Sequence, residues 1–379
     1  MRAWPRSWPI LRGRIACAWR RASGSARSSP GTRWPSVGTR STARSPGGVD
    51  PAEQVTPPPR FAVVIPLHNK GSEIGAALAS VLAQTLPADE IVVVDDASTD
   101  DGPAIVAACA DPRLLLLRRA VPGAGGYAAR NAAAAAASAQ WIAFLDGDDL
   151  WHPDHLAALA SLAARFPAAG CLATRYTHRF HDRTEPDTAA GRFAGTQAFL
   201  TDLDGFLDGW LAAGHCPMWT GAVAIRRDLL LATGGFPAGR AARGGDKDMW
   251  LRAVAGGGLA FLPRSTADFR REAADKLTDR TGTRHLPCLV VTVRALARGA
   301  APGGRRRLRR LANQEIMLYA RWTMPGEGRP AFGVRDLLWP APPSAIATLL
   351  ASIYLPKALL RALRRRGHQR RDRLAGRGG

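Results

Sequence analysis

The chain is short of sulfur, acidic charge and long apolar runs, and each shortage excludes something. Its five cysteines (Cys17, Cys109, Cys171, Cys216, Cys288) are odd in number and lie at least 45 residues apart. No pair has metal-knuckle or redox-dithiol spacing, so the sequence predicts reduced thiols and a cytoplasmic setting. No run of about 18 apolar residues occurs, and no membrane-spanning helix is predicted. The N-terminus is basic, but Pro5, Pro9, Arg12 and Arg14 interrupt any apolar stretch. It lacks the apolar segment of a secretory signal.

Acidic residues number 31 against 52 Lys and Arg, a net charge of +21. The excess sits at the ends. Residues 1–59 carry ten Arg against Asp50 and Glu53, and residues 356–379 carry Lys357 and eight Arg against Asp372. Each end is thus +8, and the middle keeps only +5. Neither end shows a finger, basic zipper or aromatic RNA-binding motif, so no nucleic-acid partner is expected. Basic tails suit an anionic membrane surface. Near the C-terminus, Ile346, Leu349, Leu350, Ile353, Leu360 and Leu363 keep roughly helical spacing around Pro356, with basic residues following. That pattern predicts either a helix packed on the main domain or a peripheral contact at the inner face of the cell membrane.

With 46% hydrophobic residues the chain can build a sizeable core. Residues 1–59, rich in Arg, Ser, Pro and Gly without periodicity, are expected to be disordered, and the true start of the protein to lie further downstream. From Phe61 the pattern alternates. Strands are predicted at Phe61–Leu67, Glu90–Val94, Leu114–Leu117 and Trp141–Leu145; helices at Glu73–Leu86, Pro103–Ala110 and Ala128–Ala139. Continuous apolar strands imply burial on both faces, hence an α/β fold with a mainly parallel central sheet and flanking helices. Residues 173–275 read as mixed, and 276–379 as a helical C-terminal extension. Right-handed crossovers place the carboxyl ends of parallel strands on one edge, where ligands bind. Here those ends carry Pro66–Asn69, Asp95-Asp96 and Asp146–Asp149.

The last cluster is the most informative. The run Trp141–Leu145 empties into Asp146-Gly147-Asp148-Asp149, three carboxylates within four residues. Such acids repel and raise one another's pKa unless a cation sits among them. Mg2+ and Mn2+ prefer oxygen ligands and take one or two carboxylates plus substrate phosphates. The plainer alternative is a solvated turn or a helix cap, with Asp149 capping a helix near Pro153.

Four segments carry a resemblance. They are Phe61–Asn69; Ile91–Asp100; Ala129-Arg130-Asn131 with Phe144–Asp149; and Gly234-Gly235-Phe236 with Gly244–Arg252. In order and spacing they resemble the family 2 glycosyltransferases, an inverting group with the GT-A fold, over about residues 60–272. The resemblance implies a GT-A domain at 60–275, with 60–172 binding a nucleotide-diphosphate sugar and 173–275 facing a glycan or lipid-linked acceptor. It implies Mg2+ or Mn2+ held by Asp148, and substrate contacts from Pro66, Asn69, Asp95, Asp96, Arg130 and Asp146. By resemblance Asp96 meets the pyrimidine, Asp146 lies near the ribose and metal, and Arg130 faces the diphosphate or braces the site. Asp95 or Asp96 alternatively closes an Asx turn with Ser98. Asp246 is the expected general base, with Asp248 as fallback; otherwise Asp248 pairs with Arg252 at i,i+4. The family commonly has Glu-Asp where this chain has Gly245-Asp246, so one acid is missing. Met249 and Trp250 read as core.

A rival pattern is Gly123-Ala124-Gly125-Gly126-Tyr127-Ala128, which fits G-x-G-x-x-A with Asp146 about 20 residues on. It would make the chain a dinucleotide-binding oxidoreductase. That fingerprint belongs to the first strand–helix turn, however, and here it follows the third predicted strand. A non-enzymatic nucleic-acid-binding protein is the other alternative, resting on the charged tails alone.

Overall fold

A computed structural model describes residues 58–188, 193, 197–271, 284–323 and 330–355. The expectations for residues 1–57, and for Leu360, Leu363 and the basic tail, lie outside the described residues. Strand alternation explains how the core divides. In β1 (Phe61–Leu67), Phe61, Val63, Ile65 and Leu67 enter one core, while Ala62 and Val64 enter the core on the opposite face. β2 (Glu90–Asp96) and β4 (Trp141–Phe144) divide in the same way. Both faces are therefore covered, as the unbroken apolar runs require.

The sheet runs β3 (Leu114–Arg119), β2, β1, β4, β9 (Val223–Arg226), β6 (Cys171–Arg179), β10 (Leu259–Arg270) and β5 (Leu150–Trp151). β7 (Thr184–Pro186) joins β6, and β8 (Phe199–Thr201) joins β10. The ladders β3-β2-β1-β4 and β6-β10 are parallel. Antiparallel joints such as β4-β9 and β10-β5 span only two or three residues each. On one face lie α1 (Gly71–Leu82) and α4 (His155–Arg165). On the other lie α3 (Tyr127–Ala136), α5 (Leu203–Ala213) and α7 (Gly245–Gly257), sharing their core with α8 (Leu289–Gly299) and α9 (Pro302–Thr323). Short helices α2 (Gly102–Ala107) and α6 (Arg227–Ala232) complete the domain, and α10 (Pro343–Tyr354) packs through Ala345 and Leu349.

All three predicted helices end early, the one expected to reach Ala110 stopping at Ala107, and two of them do so for a visible reason. The helix expected to reach Leu86 stops at Leu82, and the buried Gln84 turns to a neighbouring element. Its amide donates to the His152 carbonyl (2.7 Å) and its carbonyl accepts from the Leu156 N–H (2.9 Å), tying α1 to the start of α4. The helix expected to reach Ala139 stops at Ala136, where Glu90 takes Ser138 through its N–H (2.8 Å) and hydroxyl (2.6 Å). Asp149 does not cap the helix beyond Pro153. It is 1% exposed and accepts from the Arg270 N–H at 2.9 Å, fixing the end of β10 beneath the acidic turn.

His155, fully buried in α4 against Trp151, bonds through Nδ1 to Thr266 Oγ1 at 2.7 Å. Burial holds its pKa down to about 3. The unfolded chain therefore binds one proton more than the folded one between about pH 6.5 and 3, and stability falls as pH falls through that window. Replacing His155 with Phe should flatten the acid limb of Tm against pH by one proton's worth. Parallel slopes for the two proteins would refute this.

Candidate active site

Each strand end reaches the crevice by a local device. Asn69 adopts φ 50, a left-handed conformation that Asn tolerates better than most residues. Its carbonyl accepts from the Thr99 N–H (2.8 Å) and hydroxyl (3.2 Å), and its own N–H donates to Ser98 Oγ at 3.2 Å. The loops after β1 and β2 are thus locked together. Pro66 forms the wall between two glycine backbones: a Cβ at Gly126 would lie 3.6 Å from Pro66 Cβ, and one at Gly147 would lie 3.3 Å from its carbonyl. Asp95 closes the Asx turn, accepting from the Ser98 N–H at 2.8 Å. Asp96 is 2% exposed, with one oxygen on Arg119 of β3 and the other on the Gly123 N–H at 2.9 Å. The glycine-rich segment of the dinucleotide reading serves this carboxylate instead.

Arg130 is buried in the first turns of α3. It donates to the Gly125 carbonyl (3.0 Å) and to Asp146 Oδ1, with its guanidinium 5.6 Å from the Phe236 ring centre. Burial works against the Arg130 charge, but Asp146 outweighs it and holds the guanidinium pKa above its ordinary value. Burial also pushes the Asp146 carboxyl up, Arg130 pulls it back, and the charges of Asp148 and Asp246 push it up again. Asp148 pairs with Lys70, the residue preceding α1, at 3.0 Å. Three acids of the crevice thus each hold a cation: Asp96 with Arg119, Asp146 with Arg130, Asp148 with Lys70.

The loop after α6 is pinned to α3 and α7 by neighbouring side chains. Asn131 donates to the Phe236 carbonyl (2.9 Å) and accepts from its N–H (2.8 Å). Arg252 of α7 donates to the carbonyls of Thr233 (2.7 Å) and Gly235 (2.8 Å) and grips Asp248 with two bonds of 3.0 and 2.8 Å. Asp248 is 3% exposed and also takes the Thr292 hydroxyl. It is therefore spent as a brace and cannot serve as the fallback base. Met249 and Trp250 are fully buried core. Asp246, in the first turn of α7, has no hydrogen-bonding or ion-pair partner among the described residues. It lies close to the acidic turn: Tyr127, one turn before Arg130, accepts from the Gly245 N–H at 2.8 Å, and the Asp246 charge acts on both Tyr127 and Asp146.

Sequence reasoning missed Lys70, Arg119 and Tyr127. The only available signal was that the acids needed counter-charges, without indicating which cations would supply them. Among the described residues no cluster of three ligating side chains forms a complete metal cage. The pair Asp146 and Asp148 nonetheless matches the donor set of Mg2+ or Mn2+, which takes one or two carboxylates and completes its shell with phosphate oxygens and water.

The architecture is the α/β GT-A fold. S. aureus TarS 1-349 in complex with UDP-GlcNAc shares it with a TM-score of 0.56 at 19% identity, over 68% of this chain and 72% of that one. A second structure, S. aureus TarS 1-349, gives a TM-score of 0.54 at 18% identity, over 71% and 75%. No curated protein matches the sequence. The family model described as glycosyl transferase family 2 matches residues 62–219. The chain therefore carries a glycosyltransferase family 2 domain, and the protein is a glycosyltransferase. Asp246 lies beyond the matched segment.

Replacing Arg130 with Met should strand Asp146 in the crevice without its counter-charge. With Arg130 buried and Asp146 partly exposed, losing one side of the pair should cost on the order of 1–3 kcal/mol. Denaturant unfolding should show a loss of that size; an unchanged midpoint would show that Arg130 does not brace the site.

Proposed function

We propose that the protein moves a sugar from a nucleotide-diphosphate sugar onto a hydroxyl of a glycan or lipid-linked acceptor, inverting the anomeric centre. The observation that carries this reading is the unpaired Asp246 carboxylate beside a crevice in which Asp96, Asp146 and Asp148 each hold a cation. A lone acid on the acceptor side suits a general base. Asp246 takes the proton of the acceptor hydroxyl as its oxygen bonds to the anomeric carbon. The bond from that carbon to the diphosphate oxygen breaks, and its electron pair leaves with the nucleoside diphosphate. With one base and no second free carboxylate assigned beside it, the displacement is single and the configuration inverts.

Asp96 and the Asn69 loop would frame the nucleotide base, with Pro66 as a wall. Arg130 and Lys70 would lie beside the diphosphate, placed there by Asp146 and Asp148. Asp148, supported by Asp146, would hold Mg2+ or Mn2+, which when bound neutralises the leaving diphosphate.

The expected assay is Mn2+-dependent release of nucleoside diphosphate across a panel of activated sugars. Asp246→Asn should lower transfer by about a hundredfold or more while donor binding survives. Asp148→Asn should weaken Mn2+ binding, read by calorimetry, by about tenfold or more. Full transfer by Asp246→Asn would remove the base assignment.

The same reading puts the acceptor at the cytoplasmic face of the membrane. Residues 289–323, which form α8, α9 and their link, carry eight Arg against Glu315 alone. Arg294, Arg298 and Arg305 line a shallow basin of about 530 Å³ with Ala297 and Leu338. Trp339 beside it is 58% exposed, and Tyr354 at the end of α10 is 70% exposed. Arginines with exposed aromatic rings fit an anionic lipid interface. Among the described residues no helix is long and apolar enough to cross a membrane. The full chain should sediment with phosphatidylglycerol vesicles and release at high salt. The variant R294E/R298E/R305E should bind at least about tenfold more weakly; undiminished binding would discard this surface.

A further inference from the structure

The acid that the family commonly places before the base is absent here, and a phenol occupies its ground. α7 begins after Gly244, which has no side chain to cap the helix, so the first N–H groups need an oxygen from elsewhere. Tyr127 of α3 supplies it: the Gly245 N–H donates to Tyr127 Oη at 2.8 Å. The approach depends on position 245 being glycine. A Cβ there would stand 2.7 Å from Tyr127 Cζ and 2.7 Å from Pro237 Cγ, nearer than side-chain carbons approach. A large residue at 127 and a side chain at 245 therefore compete for one volume.

The phenol is held firmly. Its ring stacks on Phe236 with centres 6.0 Å apart and 8° between planes, and Tyr127 is 4% exposed. The oxygen accepts from Gly245, while its own hydrogen has no acceptor among the described residues. Burial, and then the Asp246 charge, hold the hydroxyl far above its ordinary pKa, so that hydrogen stays in place. A second phenol grips the same turn: Tyr319 of α9 donates to the Arg243 carbonyl at 3.2 Å, and a side chain at Gly244 would strike its hydroxyl.

We infer that Tyr127 is a positioning residue for transfer: its hydroxyl replaces the missing carboxylate, fixing the start of α7 and presenting an O–H donor beside Asp246. The inference rests on Asp246 being the base. It treats Gly245 as one half of a compensated pair rather than as a mark of lost activity.

Steady-state kinetics on the full chain test it. Tyr127→Phe keeps the ring and removes the oxygen; kcat should fall about tenfold with donor KM within about twofold of wild type. Tyr127→Ala should be slower still, and Gly245→Glu alone should lose activity and Tm through the clash. The double variant Tyr127→Ala with Gly245→Glu should exceed both single variants by about tenfold, because a carboxylate then resumes the task. A purely steric role predicts a double variant no faster than Tyr127→Ala. That result, or wild-type kcat in Tyr127→Phe, overturns the inference. Undiminished transfer by Asp246→Asn would instead strike the base assignment on which it rests.

Discussion

The part-buried pair between Arg130 and Asp146 is the constraint around which the crevice is organised. An acid cluster at a sheet edge is unstable by itself, because like charges in a poorly solvated site raise each other's pKa. The guanidinium enters from α3, where the left-handed glycines Gly125 and Gly126 let the chain turn from β3 into the helix. Its arrival settles Asp146. The same helix then delivers Asn131 to the backbone of Phe236 and Tyr127 to the backbone of Gly245. One helix thus sets the acidic turn, the loop around Phe236 and the start of α7. Displacing α3 would move all three together.

A second set of contacts holds α7 from the opposite side. Lys247, largely desolvated, pairs with the fully buried Glu315 of α9 at 2.9 Å, and burial of the lysine is outweighed by that carboxylate, so its pKa stays raised. Asp248 meets Thr292 of α8, and Tyr319 meets the Arg243 carbonyl. Pairs of this kind add little net stability but are costly to break on one side. They specify where α7 can sit. The C-terminal helices are therefore part of the frame around Asp246, although they lie outside the segment that the family model matches.

The strands were legible because their apolar runs are unbroken, and burial on both faces leaves no other way to use Ile91–Val94 or Trp141–Leu145. The convergence of acidic strand ends was legible too, although Asp95 proves to close an Asx turn and Asp149 to bond the Arg270 N–H. What stayed hidden was pairing in space. Arg119 sits 23 residues after Asp96, and Lys70 sits 78 residues before Asp148. Neither spacing has a periodicity to betray it. Asp148 and Asp149 are neighbours in sequence with opposite fates: one meets Lys70 at the crevice, the other is turned under to the Arg270 N–H. Only the path of β10 distinguishes them. Helix ends failed for the same reason, since Gln84 and Ser138 left their helices for partners on other elements.

Charge matching also constrains how a diphosphate can enter. Arg119, Arg130 and Lys70 already hold carboxylates, so an incoming anion finds cations in use. On the proposed reading, binding is an exchange of partners. Lys70 can turn from Asp148 to a phosphate, and a divalent cation can take the carboxylate it leaves. Each charge then keeps an opposite neighbour throughout, which avoids the several kcal/mol that a bare ion would cost in a desolvated crevice. Asp246 stands outside this exchange with no counter-ion of its own. A carboxylate committed to Arg or Lys would be a poor proton acceptor, because its charge would already be stabilised. On the proposed reading the arrangement separates two tasks: paired acids manage the negative charge of the donor, and the unpaired one is left free to take a proton.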